Sequence, residues 1–348
     1  MLLCPPILRR VLPFPFFTST GRIRRMRFSK CLVFQLLTLS TTTFASESLL
    51  KPYVLTNNIA GLGFFAHFDW QAIDDPTHGR VTYVDKKTAI QQNLTYASYD
   101  SFILRTDSKT VLDPAGPGRN SVRIRSKRTY ETHVAVFDVR HMPQGCGTWP
   151  AIWETKEINW PDGGEIDILE GVNDQAPNSA TIHTRAGCSM PETRLQTGTS
   201  GQLDCDWLVN FNTGCGVKFP TKASYGPDFN ANGGGWFAIE RTDEHISVWF
   251  WDRQGNTVPR DVKRGTLLVD PKKWGVPSAH FPNTSCDFTQ FFQENHIIIN
   301  LTLCGDWAGN AYGATGCPST CIDHVNSSPE AFTEAYFDIG SIRIYEHL

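Results

Sequence analysis

The sequence lacks any apolar run long enough to cross a bilayer. It also lacks a convincing amphipathic helix of ten or more residues, so helical bundles are excluded. No internal repeat, low-complexity block or Pro/Ser/Gly-rich linker interrupts it, which leaves one large domain rather than an array. Acidic residues are absent from positions 1–45, although the whole chain holds 35 of them. No second cysteine pair or suitably spaced His pair accompanies Cys317-Pro-Ser-Thr-Cys321, so a zinc set is not completed. The final residues, Ile342-Arg-Ile-Tyr-Glu-His-Leu348, do not form the apolar tail of a lipid-anchor signal, and no membrane anchor is expected.

The N-terminus is organised differently from the rest. Met26 to Lys30 is a short basic start, Cys31 to Leu39 an apolar core, and Thr43-Phe44-Ala45 places small side chains at the −3 and −1 positions of a cut after Ala45. This is the pattern of a secretory signal over residues 26–45. Residues 1–25, with five arginines and no acid, are then an extra leader or a start assigned upstream of Met26, the second being the simpler reading. A domain over residues 46–348 follows, and the chain is expected to be secreted.

Seven of the 32 Lys and Arg precede residue 46, leaving 25 against 35 acids, a net charge of −10. Such a domain repels phosphate backbones, which argues against a nucleic-acid partner and tolerates a neutral polymer. Eight of the ten cysteines lie beyond Ala45, an even count that suggests up to four disulfides without fixing their pairing. Sequons at Asn93, Asn283, Asn300 and Asn326 fit an exported chain.

Period-two patterning dominates. Ser121–Ser126, Thr132–Arg140, Phe237–Arg241, Ile246–Trp251, His296–Leu303 and Ala335–Tyr345 read as strands, with Thr242–His245 turning a hairpin. Strands joined by Gly/Pro/Asn turns imply an all-β sandwich of two antiparallel sheets, whose concave face would be a groove for a long polymer.

The segment Trp160-Pro-Asp-Gly-Gly-Glu165-Ile-Asp167-Ile-Leu-Glu170 carries the chemistry. On a regular strand Glu165 and Asp167 share a face, whereas Glu170 would point into the apolar core. An unpaired carboxylate there costs too much, so a β-bulge between Asp167 and Glu170 is expected to bring all three acids to one face. Crowded acids acquire different proton affinities. Retaining glycosidic cleavage needs that split between an ionised nucleophile and a protonated acid. Solvated outer-face acids and calcium ligands are the competing readings; calcium gathers oxygens from loops, whereas apolar residues interleave these acids. Structural calcium elsewhere is possible but not indicated, and no cofactor or site metal is expected.

The run Glu165-Ile-Asp-Ile-Leu-Glu170 closely resembles the bulged, laminarinase-like signature of glycoside hydrolase family 16, the non-bulged E-x-D-x-E form belonging to lichenases and xyloglucan-active members. Arg119–Ser126, Thr132–Arg140, Gly147–Glu154, Gly171–Asp174, Thr181–Thr184 and Cys304–Gly309 also resemble stretches of fungal endo-1,3(4)-β-glucanases, in the same order along the chain. The resemblance implies a concanavalin A-like β-jelly roll, with Glu165 as nucleophile, Asp167 as its orienting partner and Glu170 as general acid/base. It further implies that His183 lies near the acid/base, and that Arg123, Trp153, Trp160 and Trp307 line a sugar groove. Tryptophan faces suit the apolar C–H faces of glucose. Trp149, Trp249 and Trp251 fit core or groove equally, and Glu154 and Glu157 read as loop or rim residues. The activity implied is endo-hydrolysis of β-1,3- and mixed-linkage β-glucans by a monomer. A cell-wall β-glucan transglycosylase and a glucan-binding lectin are the alternatives.

Overall fold

Most of the alternating stretches form strands close to where the sequence places them. The computed structural model describes residues 52–347; the expectations for the leader over 1–25 and the signal over 26–45 lie outside the described residues. The Gly235–Arg241 and His245–Asp252 strands pair as the expected hairpin, and Asn295–Leu303 and Tyr336–His347 are long strands. The stretch read as one strand from Ser121 is divided, with Val122 separating Arg119–Ser121 from Arg123–Tyr130. Among the described residues no helix exceeds the seven residues of Cys321–Ser327.

Two antiparallel sheets face one another. The eight-stranded sheet runs Thr199–Ser200, Cys215–Lys218, Ser179–His183, Glu165–Glu170, Thr148–Thr155, Asn295–Leu303, Arg123–Tyr130 and Phe68–Trp70. The nine-stranded sheet is centred on Tyr336–His347, His133–His141 and Gly235–Arg241. Alternation sets what lies between them. Ile166, Ile168, Ile182, Ile297 and Ile299 of one sheet pack in a single buried cluster with Phe137, Phe237, Ile239 and Phe337 of the other. The opposite face of the nine-stranded sheet carries its own apolar layer, in which Trp236, Trp249, Trp251 and Trp274 pack with Val134, Val136 and Tyr345. Trp249 and Trp251 are therefore neither groove nor inter-sheet residues.

Glu154 also differs from its reading as a rim residue. The Thr148–Thr155 strand extends through it and turns its side chain between the sheets, where it is fully buried. His133 Nε2 lies 2.9 Å from Glu154 Oε1 and Arg241 Nη1 lies 3.8 Å from Oε2, both partners coming from the nine-stranded sheet.

All eight cysteines beyond the leader are paired, as Cys146–Cys317, Cys188–Cys286, Cys205–Cys215 and Cys304–Cys321. The last of these closes the Cys304–Cys321 segment, which carries Trp307, on itself, and the first ties that segment to the chain just before the Thr148–Thr155 strand. The four sequons separate into two kinds. Asn93 and Asn283 are exposed, whereas Asn300 and Asn326 are buried with side chains bonded to the fold, so only the first two are open to a glycan in the folded chain.

Candidate active site

The Glu165–Glu170 strand pairs with Thr148–Thr155 in a register that places Glu165 opposite Thr155 and Asp167 opposite Trp153. The ladder then skips Ile168, and pairing resumes with Leu169 opposite Ile152 and Glu170 opposite Ala151. This is the expected bulge. It lets Ile168 and Leu169 both enter the core, each fully buried, and restores Glu170 to the face shared by Glu165 and Asp167.

Cross-strand register lays out the rest of the groove face. His183 sits opposite Glu165, while Arg125, Ile298, Trp153 and Asp167 form one row across four strands. Arg123, Asn300, Ala151 and Glu170 form the adjacent row. His183 Nε2 lies 3.4 Å from Asp167 Oδ2, and Glu165, Asp167 and His183 present ligand-type atoms within 4.8 Å of one another. Among the described residues this is the one His/Cys/Asp/Glu group close enough to hold a metal ion, and its two acids belong to the signature itself.

Each glutamate has an indole donor. Trp160 Nε1 donates to Glu165 Oε2 at 2.7 Å, and Trp149 Nε1 donates to Glu170 Oε1 at 2.9 Å. Trp307 is 38% exposed and meets Trp149 edge-to-face, with ring centroids 5.7 Å apart. Trp207, 36% exposed, meets Trp160 in the same manner at 5.3 Å. Trp153 donates from Nε1 to Asn300 Oδ1 at 2.7 Å, and the Arg123 guanidinium lies 5.0 Å from its ring centroid. Arg123 is nearly buried and donates to Gln71 Oε1 at 2.8 Å and Glu157 Oε1 at 3.0 Å, so much of its donor capacity supports the groove floor. Glu157, read from sequence as a rim residue, is held there by Arg123, Arg125 and Gln71, which keep its carboxyl below the usual range.

All the residues expected at the site therefore lie on or beside one groove face. Four others join them. Trp149 has the same strand parity as Trp153, a signal that could have favoured groove over core. Asn300 shares that face, although its sequon drew attention to a different role. Trp207 and Asn212 sit on a loop, where spacing carries no such signal.

Burial is the main electrostatic influence. Asp167 lies beneath the surface, and withdrawal from water pushes its carboxyl up to about 8. Glu165 and Glu170 are half-buried at the groove; burial raises each to about 8, and the neighbouring Asp167 adds to both shifts. His183 and the two indole N–H donors oppose the rise. Three such carboxyls so close together cannot all be ionised at neutral pH, so the cluster retains protons where isolated acids would lose them.

A β-sheet face that crowds three proton-retaining carboxyls together, flanked by partly exposed indoles, is the arrangement of a glycoside hydrolase. The chain belongs to glycoside hydrolase family 16: residues 68–345 match the family model described as "XgeA-like, catalytic GH16 domain". It is 42% identical over 301 residues to a probable glycosidase of Schizosaccharomyces pombe, covering 85% of this chain and 70% of that one. It also matches fungal proteins named probable endo-1,3(4)-β-glucanases, spanning about half of their length. Laminarinase 16A of Phanerochaete chrysosporium, solved with 6-O-glucosyl-laminaritriose in donor and acceptor sites, superposes with a TM-score of 0.84 at 58% identity, over 84% of this chain and 99% of that one. A solved elongating family 16 β-1,3-glucosyltransferase superposes at 0.79 with 36% identity, over 84% of this chain and all of that one.

Proposed function

We propose that this protein is a secreted endo-β-1,3(4)-glucanase that cuts internal bonds of β-1,3- and mixed-linkage glucans with net retention. Residues 26–45 are its export signal and 46–348 its catalytic domain. Glu165 attacks the anomeric carbon as a carboxylate, forming a glycosyl ester while the bond to the leaving oxygen breaks. Glu170 gives its proton to that oxygen, then takes one from the water that cleaves the ester. Asp167 orients Glu165, and His183 supports the group from the neighbouring strand. Trp153, Trp160 and Trp307 meet sugar faces, while Arg123 holds Trp153 in place.

The observation that carries this reading is the bulge-restored alignment of Glu165, Asp167 and Glu170 on one groove face. The similarity to laminarinase 16A supports β-1,3-glucan as substrate. The test is product analysis on laminarin, lichenan and cellulose, comparing wild type with Glu165→Gln. Short oligosaccharides from laminarin that vanish in the variant are expected; an unchanged product pattern would remove Glu165 from its role.

Similarity to a chain-elongating transferase supports a second reading, in which a sugar hydroxyl replaces water in the second step. Products longer than the starting oligosaccharide would distinguish it.

A further inference from the structure

Behind His183 lies a short loop closed by Cys205–Cys215. It is pinned to the residue after His183, for Thr184 N–H donates to Cys205 O at 2.9 Å and Trp207 N–H donates to Thr184 O at 3.0 Å. Three consecutive residues, Asn210, Phe211 and Asn212, have φ of +52°, +58° and +57°. Left-handed backbone at a bulky residue such as Phe211 persists only when the surroundings impose it.

That unusual path brings two parts of the loop against one imidazole. Asn212 Oδ1 lies 2.9 Å from His183 Nδ1. Gly214, at φ +62°, has no room for a side chain: a Cβ would lie 2.8 Å from His183 Cε1 and 2.7 Å from Ile182 O. The ring is thus held on one edge by backbone packing and on another by an amide.

The amide oxygen faces Nδ1 and a carbonyl oxygen only accepts, so this orientation calls for Nδ1–H; a reversed amide would instead donate to a bare Nδ1, the arrangement the experiment below discriminates. Nε2 faces Asp167 Oδ2 at 3.4 Å, and that oxygen is buried with no hydrogen bond of normal geometry among the described residues. Two bare lone pairs in a dry site would repel, so one proton belongs on the line between Nε2 and Oδ2. The Asp167–His183 pair is then neutral as a unit, whichever atom carries that proton. If Nδ1 were bare and Nε2–H faced an ionised Asp167, the pair would instead carry one negative charge beside Glu165.

We propose that Asn212 is a positioning residue: its carbonyl fixes the Nδ1–H form of His183 and keeps the Asp167–His183 pair neutral, so that Glu165 can ionise as nucleophile. This rests on the roles given above to Glu165 and Asp167. The ionisable groups facing His183 are Glu165, Asp167 and Glu170 from the neighbouring strand. The loop adds Asp206, whose carboxylate accepts the N–H of Leu208 at 3.0 Å.

Two substitutions separate the carbonyl from the shape of the loop. Asn212→Gly keeps a positive φ without steric cost and removes the amide, whereas Asn212→Asp keeps the shape and, as a carboxylate, can only accept. The readouts are the ring-nitrogen NMR shifts of His183, assigned by difference from His183→Gln, and the pH profile of kcat/KM on laminarin. Wild type and Asn212→Asp are expected to show Nδ1–H, and Asn212→Gly to lose it. In the glycine variant the acid limb of kcat/KM should rise by about one pH unit, roughly a tenfold loss at a fixed pH on that limb; the aspartate variant keeps the tautomer but adds a negative charge of its own, so its rescue is read from the NMR shifts and not from the rate. Absence of Nδ1–H in wild type, retention of both tautomer and limb in Asn212→Gly, or a pH-independent loss in that variant would each overturn the proposal. Asn212→Ala is the second deletion should the glycine variant fail to fold. If wild type cuts no glucan, the roles assigned to the acids fall, while the NMR shifts still report on Asn212 by themselves.

Discussion

At the scale of single residues, the important property is a proton held against its usual tendency to leave. Burial pushes Glu170 up to about 8, which suits a group that must still carry a proton at neutral pH. A nucleophile must be ionised, so kcat/KM should fall as acid protonates the cluster. A general acid must be protonated, so it should fall again in alkali as the cluster, in which burial pushes Glu165, Asp167 and Glu170 all upward, gives up its shared proton. Glu170→Gln should lose glucan cleavage but keep the first step on an aryl glycoside, whose leaving group needs no proton. Its alkaline limb should disappear, and persistence of that limb would place the titrating acid elsewhere. The same shift bears on stability. A carboxyl with a raised folded pKa contributes fully at low pH and loses that contribution as pH rises through about 8.

At the scale of the element, the bulge explains how six residues hold three acids on one face without turning Glu170 into the apolar core. Ladder pairing is the same on both sides of Ile168 except for the extra residue. Deleting Ile168 should therefore leave Glu170 opposite Ala151, giving a regular E-x-D-x-E strand with all three acids on the groove face. Laminarin hydrolysis should survive, while thermal or denaturant unfolding reports a loss of about 2–5 kcal/mol for one buried aliphatic side chain. Loss of all activity in a folded deletion variant would mean that the bulge aims Glu170 more finely than its pairing suggests. This strand was legible because a misplaced charge costs so much: the spacing of Glu165, Asp167 and Glu170 forced the bulge before any coordinates. Glu154 was not. Its place depends on His133 and Arg241, which are distant in sequence, and a strand pattern records which face a side chain takes but not what waits there. Asn212 escaped for a different reason, since its role arises from loop geometry that no periodicity encodes.

For the molecule as a whole, the two sheets are joined by apolar contact and by polar ties, of which the group around Glu154 is the buried one and the Arg128–Glu346 pair lies nearer the surface. Glu154 and His133 are fully buried, and Arg241 nearly so. Such a group is costly to break from one side, because the remaining charge has no partner and no water. Glu154→Ala should lower unfolding stability by about 3–5 kcal/mol, read from the denaturant midpoint, while the variant stays active at temperatures where it remains folded. A change near zero would show that Arg241 finds other acceptors, its bonds to the Tyr130 and Gln293 carbonyls being the nearest at hand. The two-sheet architecture was legible from alternation, whereas the pairing of eight cysteines and the burial of two of the four sequons depended on where distant strands meet.

The tryptophan layer on the far side of the nine-stranded sheet has an optical consequence. Of ten indoles, Trp236, Trp249, Trp251 and Trp274 lie in that sealed layer, whereas Trp149, Trp153, Trp160, Trp207 and Trp307 surround the groove. Nine of the ten indoles thus form two sets of emitters separated by the hydrophobic interior, with Trp70 packed apart from both against Phe65 and Phe102. A sugar or an aqueous quencher entering the groove meets one set directly, and the other provides an internal reference from the same molecule.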